Sequence, residues 1–207
     1  MPRDQGQTRP LIWVPIIHTP SDLGSVGETF QQLYVRRTSH EEWDRHIRTV
    51  DDAWERIRRA IEQMHLDHGV LRVYQDGLPQ CGHELDIVKE LAAAGSQNHQ
   101  ILLDLAARGA TIIGTESPAL LLEEYESVQR SLARLATDEA DGDAPKQQIW
   151  NKLVLEKRDR FIAGRINETL KVGEVGLIFL GLLHALEPFL PPDIELTREA
   201  WWAATDE

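Results

Sequence analysis

At 207 residues, 42% hydrophobic and 27% charged, the chain has the length and composition of one globular domain with a sizeable core. A formal charge of -12 excludes a polyanion-tracking surface, so nucleic acid is not an expected partner. No window approaches the roughly 18 apolar residues of a membrane span, and no secretory leader is evident in "MPRDQGQTRP". The single cysteine, Cys81, forbids an internal disulfide and fits a cytoplasmic location.

In chain order, "LIWVPII" (11–17) reads as a buried strand, with Pro15 pointing to a sheet edge or a bulge. The loop "HTPSDLGS" follows. The next segment carries Trp43, Ile47, Val50, Trp54, Ile57 and Ile61 at spacings of 4, 3, 4, 3 and 4, an apolar helical stripe over about 40–65. Ser39 with Glu42 forms a capping box at its start. "GVLRVYQ" (69–75) is a second strand, closed by the turn "DGLP". Helices over 84–94 and 99–108, a strand "ATIIGT" (110–115) and a helix opened by Ser117 and Pro118 come next. An acidic loop spans 137–145, followed by a helix over 146–170, a strand over 175–180, a short helix and a tail (193–207) of unassigned structure containing Trp201 and Trp202. Strands alternating with helices predict a single α/β domain: a largely parallel central sheet of about four or more strands flanked by helices.

In such sheets ligands bind beyond the carboxyl ends of the strands. Each strand here is followed by a polar side chain able to move a proton or hold a metal. The first gives His18 and Asp22, the second Asp76, the third Glu116 and the fourth His184. If the strands are parallel, these residues share one edge. Two imidazoles and a carboxylate suit Mn, Zn or Fe, with His18, His184 and Glu116 as ligands. The same groups suit metal-free acid–base work by His18, Glu116, His184 and Asp76. Arg158, Arg165 and Asp22 are candidate substrate-binding residues, a guanidinium being able to hold an anion in two-pronged fashion. For Arg160 with Glu156, a surface ion pair is the simpler expectation. No phosphate-binding glycine loop and no G-x-S-x-G elbow is present.

The segment "RDRFIAGRINETLKVGEVGLIFLGLLH" resembles the end of the superfamily that unites erythromycin esterases, ChaN-like haem-uptake proteins and TraB/GumN/Tiki proteins. There a helix beginning Arg-Asn or Arg-Asp precedes a strand ending in G-x-x-H, matched here by Gly181 to His184. The early strand of those proteins also ends in a histidine motif. Here "PIIH" (15–18) stands in its place, with Pro15 where the pattern has glycine. The resemblance implies a TraB-like hydrolase using His18, His184, Arg158 and one of Asp76 or Glu116, in some branches with a divalent metal.

The expected activity is hydrolysis of an ester, amide or phosphoester in a small-molecule or peptide substrate, with or without a metal. The alternatives are a carrier of haem or a small anion, and a partner-binding scaffold. A homo-oligomer is compatible with the tryptophan-rich helix and tail.

Overall fold

The computed structural model of the protein describes residues 8–17, 27–137 and 144–198. Its centre is a sheet whose strands are β1 (Arg9–Ile16), β2 (Leu71–Gln75), β3 (Thr111–Ile113), β4 (Val175–Gly181) and β5 (Ile194–Arg198). They lie in the order β3-β2-β4-β1-β5, and all pairs are parallel. The connecting helices are α1 (Gly27–Arg37), α2 (His40–Gln63), α3 (Glu84–Ala93), α4 (Gln97–Ala107), α5 (Pro118–Thr137) and α6 (Ala144–Thr169). The α/β expectation therefore holds. Among the described residues, no helix is long and apolar enough to cross a membrane.

The near-continuous apolar runs of β1 and β4 follow from burial on both faces. On one face Val14, Val73, Leu177 and Phe179 pack against α2, α3 and α4 through Trp54, Ile57, Val88 and Leu102. On the other, Leu11, Trp13, Tyr74, Ile178 and Leu180 pack against Ile162 and Ile166 of α6 and Leu170 just after it. Buried Arg9 ties the start of β1 to the end of α6, donating to the carbonyls of Asn167 (3.0 Å) and Leu170 (2.9 Å), and it pairs with Asp193 at 2.7 Å. It thereby satisfies carbonyls that a helix terminus leaves without partners.

Several boundaries differ from expectation for local reasons. Residues 68–70 form a 3-10 turn before β2, and α4 starts at Gln97 because Ser96 caps it, its hydroxyl accepting from the His99 N–H at 3.4 Å. β3 is shorter than 110–115, because Thr115 and Glu116 donate their N–H groups to the Leu78 carbonyl, both at 3.0 Å. A turn and a 3-10 turn (Glu187–Phe189) replace the short helix after β4. α1 and β5 escape prediction because little of either is buried: Gly27 in α1 and Ile194 in β5. Pro15 is at neither a sheet edge nor a bulge. β1 is flanked by β4 and β5, and Pro15 pairs with Leu180 of β4 in an unbroken register. Residues 138–143 of the acidic loop, and Trp201 and Trp202, lie outside the described residues.

Adjacent strands β2 and β4 send the following chain to opposite faces. β2 leads to α3, whose Val88 packs on the first face, whereas β4 leads to Leu186 on the second. Such a divergence opens a crevice at the carboxyl ends of the two strands. Beside it, the segments after β2 and β3 run together through a bridge between Pro79 and Glu116 and an N–H from Gln80 to the Glu116 carbonyl (2.9 Å). Gly114 makes this approach feasible: a Cβ there would lie 2.7 Å from the Gln80 Cα and 2.8 Å from the Pro79 carbonyl oxygen. Backbone cannot yield as a side chain can. Gly114→Ala is expected to destabilise the fold by about 1–3 kcal/mol, read as a lowered midpoint of urea denaturation.

Candidate active site

Three strand ends and two helices deliver the charged residues of the crevice. Asp76 directly follows β2, Glu116 follows β3 by three positions, and the turn after β4 carries His184. Arg158 and Asp159 come from α6, on its buried stripe of Val154, Ile162 and Ile166. Glu124 reaches in from α5.

Arg158 is the hub, only 4% exposed. Its Nη2 donates to Asp76 Oδ1 and to Glu116 Oε1, both at 2.6 Å, Nε donates to Glu116 Oε1 at 3.2 Å, and Nη1 to Glu124 Oε1 at 2.6 Å. Burial disfavours the charged guanidinium, but Asp76, Glu116 and Glu124 outweigh burial and raise its pKa further, so it stays ionised. Burial pushes the Glu116 carboxyl above its usual range and the Asp76 carboxylate adds to that, while Arg158 acts in the opposite sense. Glu116 is 0% exposed, and its Oε2 has no hydrogen-bond partner among the described residues.

His184 lies between two carboxylates. Nδ1 is 2.6 Å from Asp159 Oδ1, and Nε2 is 3.4 Å from Asp76 Oδ2. Asp159 also accepts the Ala185 N–H at 3.0 Å, and Asp76 Oδ2 accepts the Gly181 N–H at 3.1 Å. Burial alone would lower the imidazole pKa, yet hydrogen bonds to Asp159 and Asp76 raise it to about 9. His184 is therefore an imidazolium at neutral pH, with a carboxylate at each nitrogen.

Above this network lies a cleft of about 430 Å³. Asp76, Glu124, Arg158 and His184 face it, Gln75, Asn98 and His99 form a second polar stretch, and apolar residues including Leu155 and Leu183 complete its wall.

The structure thus brings together four residues singled out from the sequence: Asp76, Glu116, Arg158 and His184. Asp76 and Glu116, between which the sequence does not decide, are both held by one guanidinium nitrogen, Arg158 Nη2. Arg165 belongs elsewhere; it donates to the Gly114 carbonyl at 3.2 Å and to Glu168 at 2.9 Å, bracing the segment that carries Glu116. Arg158 has its Nε, Nη1 and Nη2 committed to protein carboxylates rather than turned to an anionic substrate. Arg160 pairs with Glu156 at 2.8 Å on the surface, as expected. His18 and Asp22 lie outside the described residues. As for metal, no group of three His, Cys, Asp or Glu side chains among the described residues is arranged to hold an ion, and Arg158 stands where a cation shared by Asp76 and Glu116 would sit. A haem iron would have to displace Asp76 to reach His184 Nε2.

Asp159 and Glu124 were not singled out from the sequence. Asp159 carried a signal, because an Arg-Asp pair on an otherwise apolar stripe must be either paired or strained. Glu124, on a helix rich in acids, carried none.

Comparisons with protein-family models, with curated proteins and with solved structures found no match.

Two expectations follow. Arg158→Met would leave buried carboxylates without their counter-charge and cost about 3–5 kcal/mol, measurable by chemical denaturation. Because the His184 pKa is raised from 6.5 to about 9, its stabilising contribution is complete below pH 6.5 and disappears as pH rises through about 9. Unfolding free energies measured across that range should fall with pH, and His184→Gln should flatten the slope.

Proposed function

We propose that the protein is a hydrolase in which His184 and Asp76 move the protons. The observation that carries this reading is an imidazole held between Asp159 and Asp76 at the carboxyl ends of parallel strands, facing a cleft of about 430 Å³. Asp159 fixes the ring through Nδ1, leaving Nε2–H as the proton to be given. Water attacks the carbonyl or phosphoryl centre of a bound ester, amide or phosphoester and loses a proton to Asp76 Oδ2. The bond to the leaving group breaks as His184 Nε2 supplies that group's proton. Transfer from Asp76 to His184 across their contact restores the resting state. Arg158 and the Gly181 N–H keep Asp76 oriented throughout. The likeness of Gly181–His184 and the Arg158-Asp159 pair to the superfamily of erythromycin esterases and TraB-like proteins supports the same reading.

The test is turnover of chromogenic esters, anilides and phosphoesters by native protein, His184→Gln and Asp76→Asn, with circular dichroism to verify folding. Folded variants are expected to lose about 100-fold or more in kcat, and chelator is expected to leave native activity unchanged. Unaltered turnover in a folded His184→Gln protein would overturn the mechanism. Activity abolished by chelator would transfer the chemistry to a divalent ion. A Soret band on haem titration, lost in His184→Ala, would favour the carrier reading.

A further inference from the structure

The second polar stretch of the cleft takes no part in the proton transfers proposed above. Gln75 ends β2, its side chain directed to the face covered by α4, where Asn98 and His99 occupy the first turn. Gln75 is 2% exposed and Asn98 1%. Gln75 Nε2 donates to the Asp76 carbonyl at 2.9 Å, which fixes the amide's orientation and leaves Oε1 as its other end. Among the described residues, that Oε1 and Asn98 Oδ1 have no hydrogen-bond partner. Both acceptors belong to side chains that line one cleft, so a ligand seated there is favoured if it brings hydrogen-bond donors.

Charge narrows the class. Asp76, Glu116, Glu124 and Asp159 stand against one guanidinium and one imidazole, and Arg158 directs Nε, Nη1 and Nη2 at carboxylates. An anion entering the cleft would meet excess negative charge with this guanidinium already engaged. A neutral hydroxyl offers one donor, whereas an ammonium offers three and a favourable charge.

We propose that the Gln75–Asn98 end of the cleft binds a primary ammonium group of the substrate, with Gln75 Oε1 and Asn98 Oδ1 as its acceptors. The ammonium is seated beside Asp76, so the bond to be hydrolysed lies in the same molecule, toward His184. The catalytic consequence rests on the hydrolase reading, but the binding does not. Failure of one is distinguishable from failure of the other.

The probes are hexylamine, hexanol and hexanoate, six-carbon compounds suited to the apolar wall, titrated into the native protein by calorimetry at low salt. Hexylamine is expected to bind at least tenfold more tightly than either of the others, and to weaken as salt rises. Gln75→Leu and Asn98→Leu should each reduce hexylamine affinity about tenfold. Gln75→Glu and Asn98→Asp, which keep an acceptor in place, should retain binding. Equal or tighter binding of hexanol or hexanoate, or no binding of hexylamine, would overturn the assignment using native protein alone. So would hexylamine affinity unchanged in folded leucine variants.

Discussion

A buried guanidinium surrounded by carboxylates is the constraint on which this molecule is organised. Arg158 joins the end of β2, the segment after β3 and helix α5 to α6, through Asp76, Glu116 and Glu124. Each of these groups would be costly to bury alone, and together they are stable only in one geometry. The adjacent residue, Asp159, extends the network to the turn after β4 through His184 and the Ala185 N–H. Two consecutive positions of α6 thus fix its register against three strand ends. Sliding the helix by one residue would exchange an acid for a base at the centre of the core.

The sheet order explains why these groups meet. With β4 between β2 and β1, the chain leaves β2 and β4 toward opposite faces, and the backbone parts above them. Polar side chains occupy that gap because neither apolar layer reaches it. Gly181 lies between the two functions: its N–H holds Asp76, and its carbonyl accepts the His184 N–H at 3.2 Å to shape the turn. The leucines of that turn pay no packing role in the core; Leu183 is 84% exposed. They bound the cleft and set its polarity on the side facing solvent.

Much of this was legible in the sequence, because the strand–helix alternation dictates a parallel sheet and a parallel sheet gathers the residues that follow its strands. Asp76, Glu116 and His184 were found by that reasoning alone. What connects them was harder to see. Arg158 and Asp159 occupy positions where the helical period calls for apolar residues, a conflict that only a tertiary partner resolves. Gln75 and Asn98 come to line one cleft only because the fold brings β2 and α4 to it, a relation with no local signature. β5 was missed because a strand buried at little more than Ile194 has almost no hydrophobic pattern.

The position of β1 has a consequence for how the chain is assembled. Leu11 pairs with Gly176 on one side and Leu196 on the other, so the first of the described strands draws both neighbours from the last two. Closing such a loop is entropically slow, and contacts of this sequence separation form late. Until residues 175–198 have emerged, the apolar segment Leu11–Ile16 has no ladder to join. The cleft, which depends on β4 lying beside β2, is completed by the same event that completes the core.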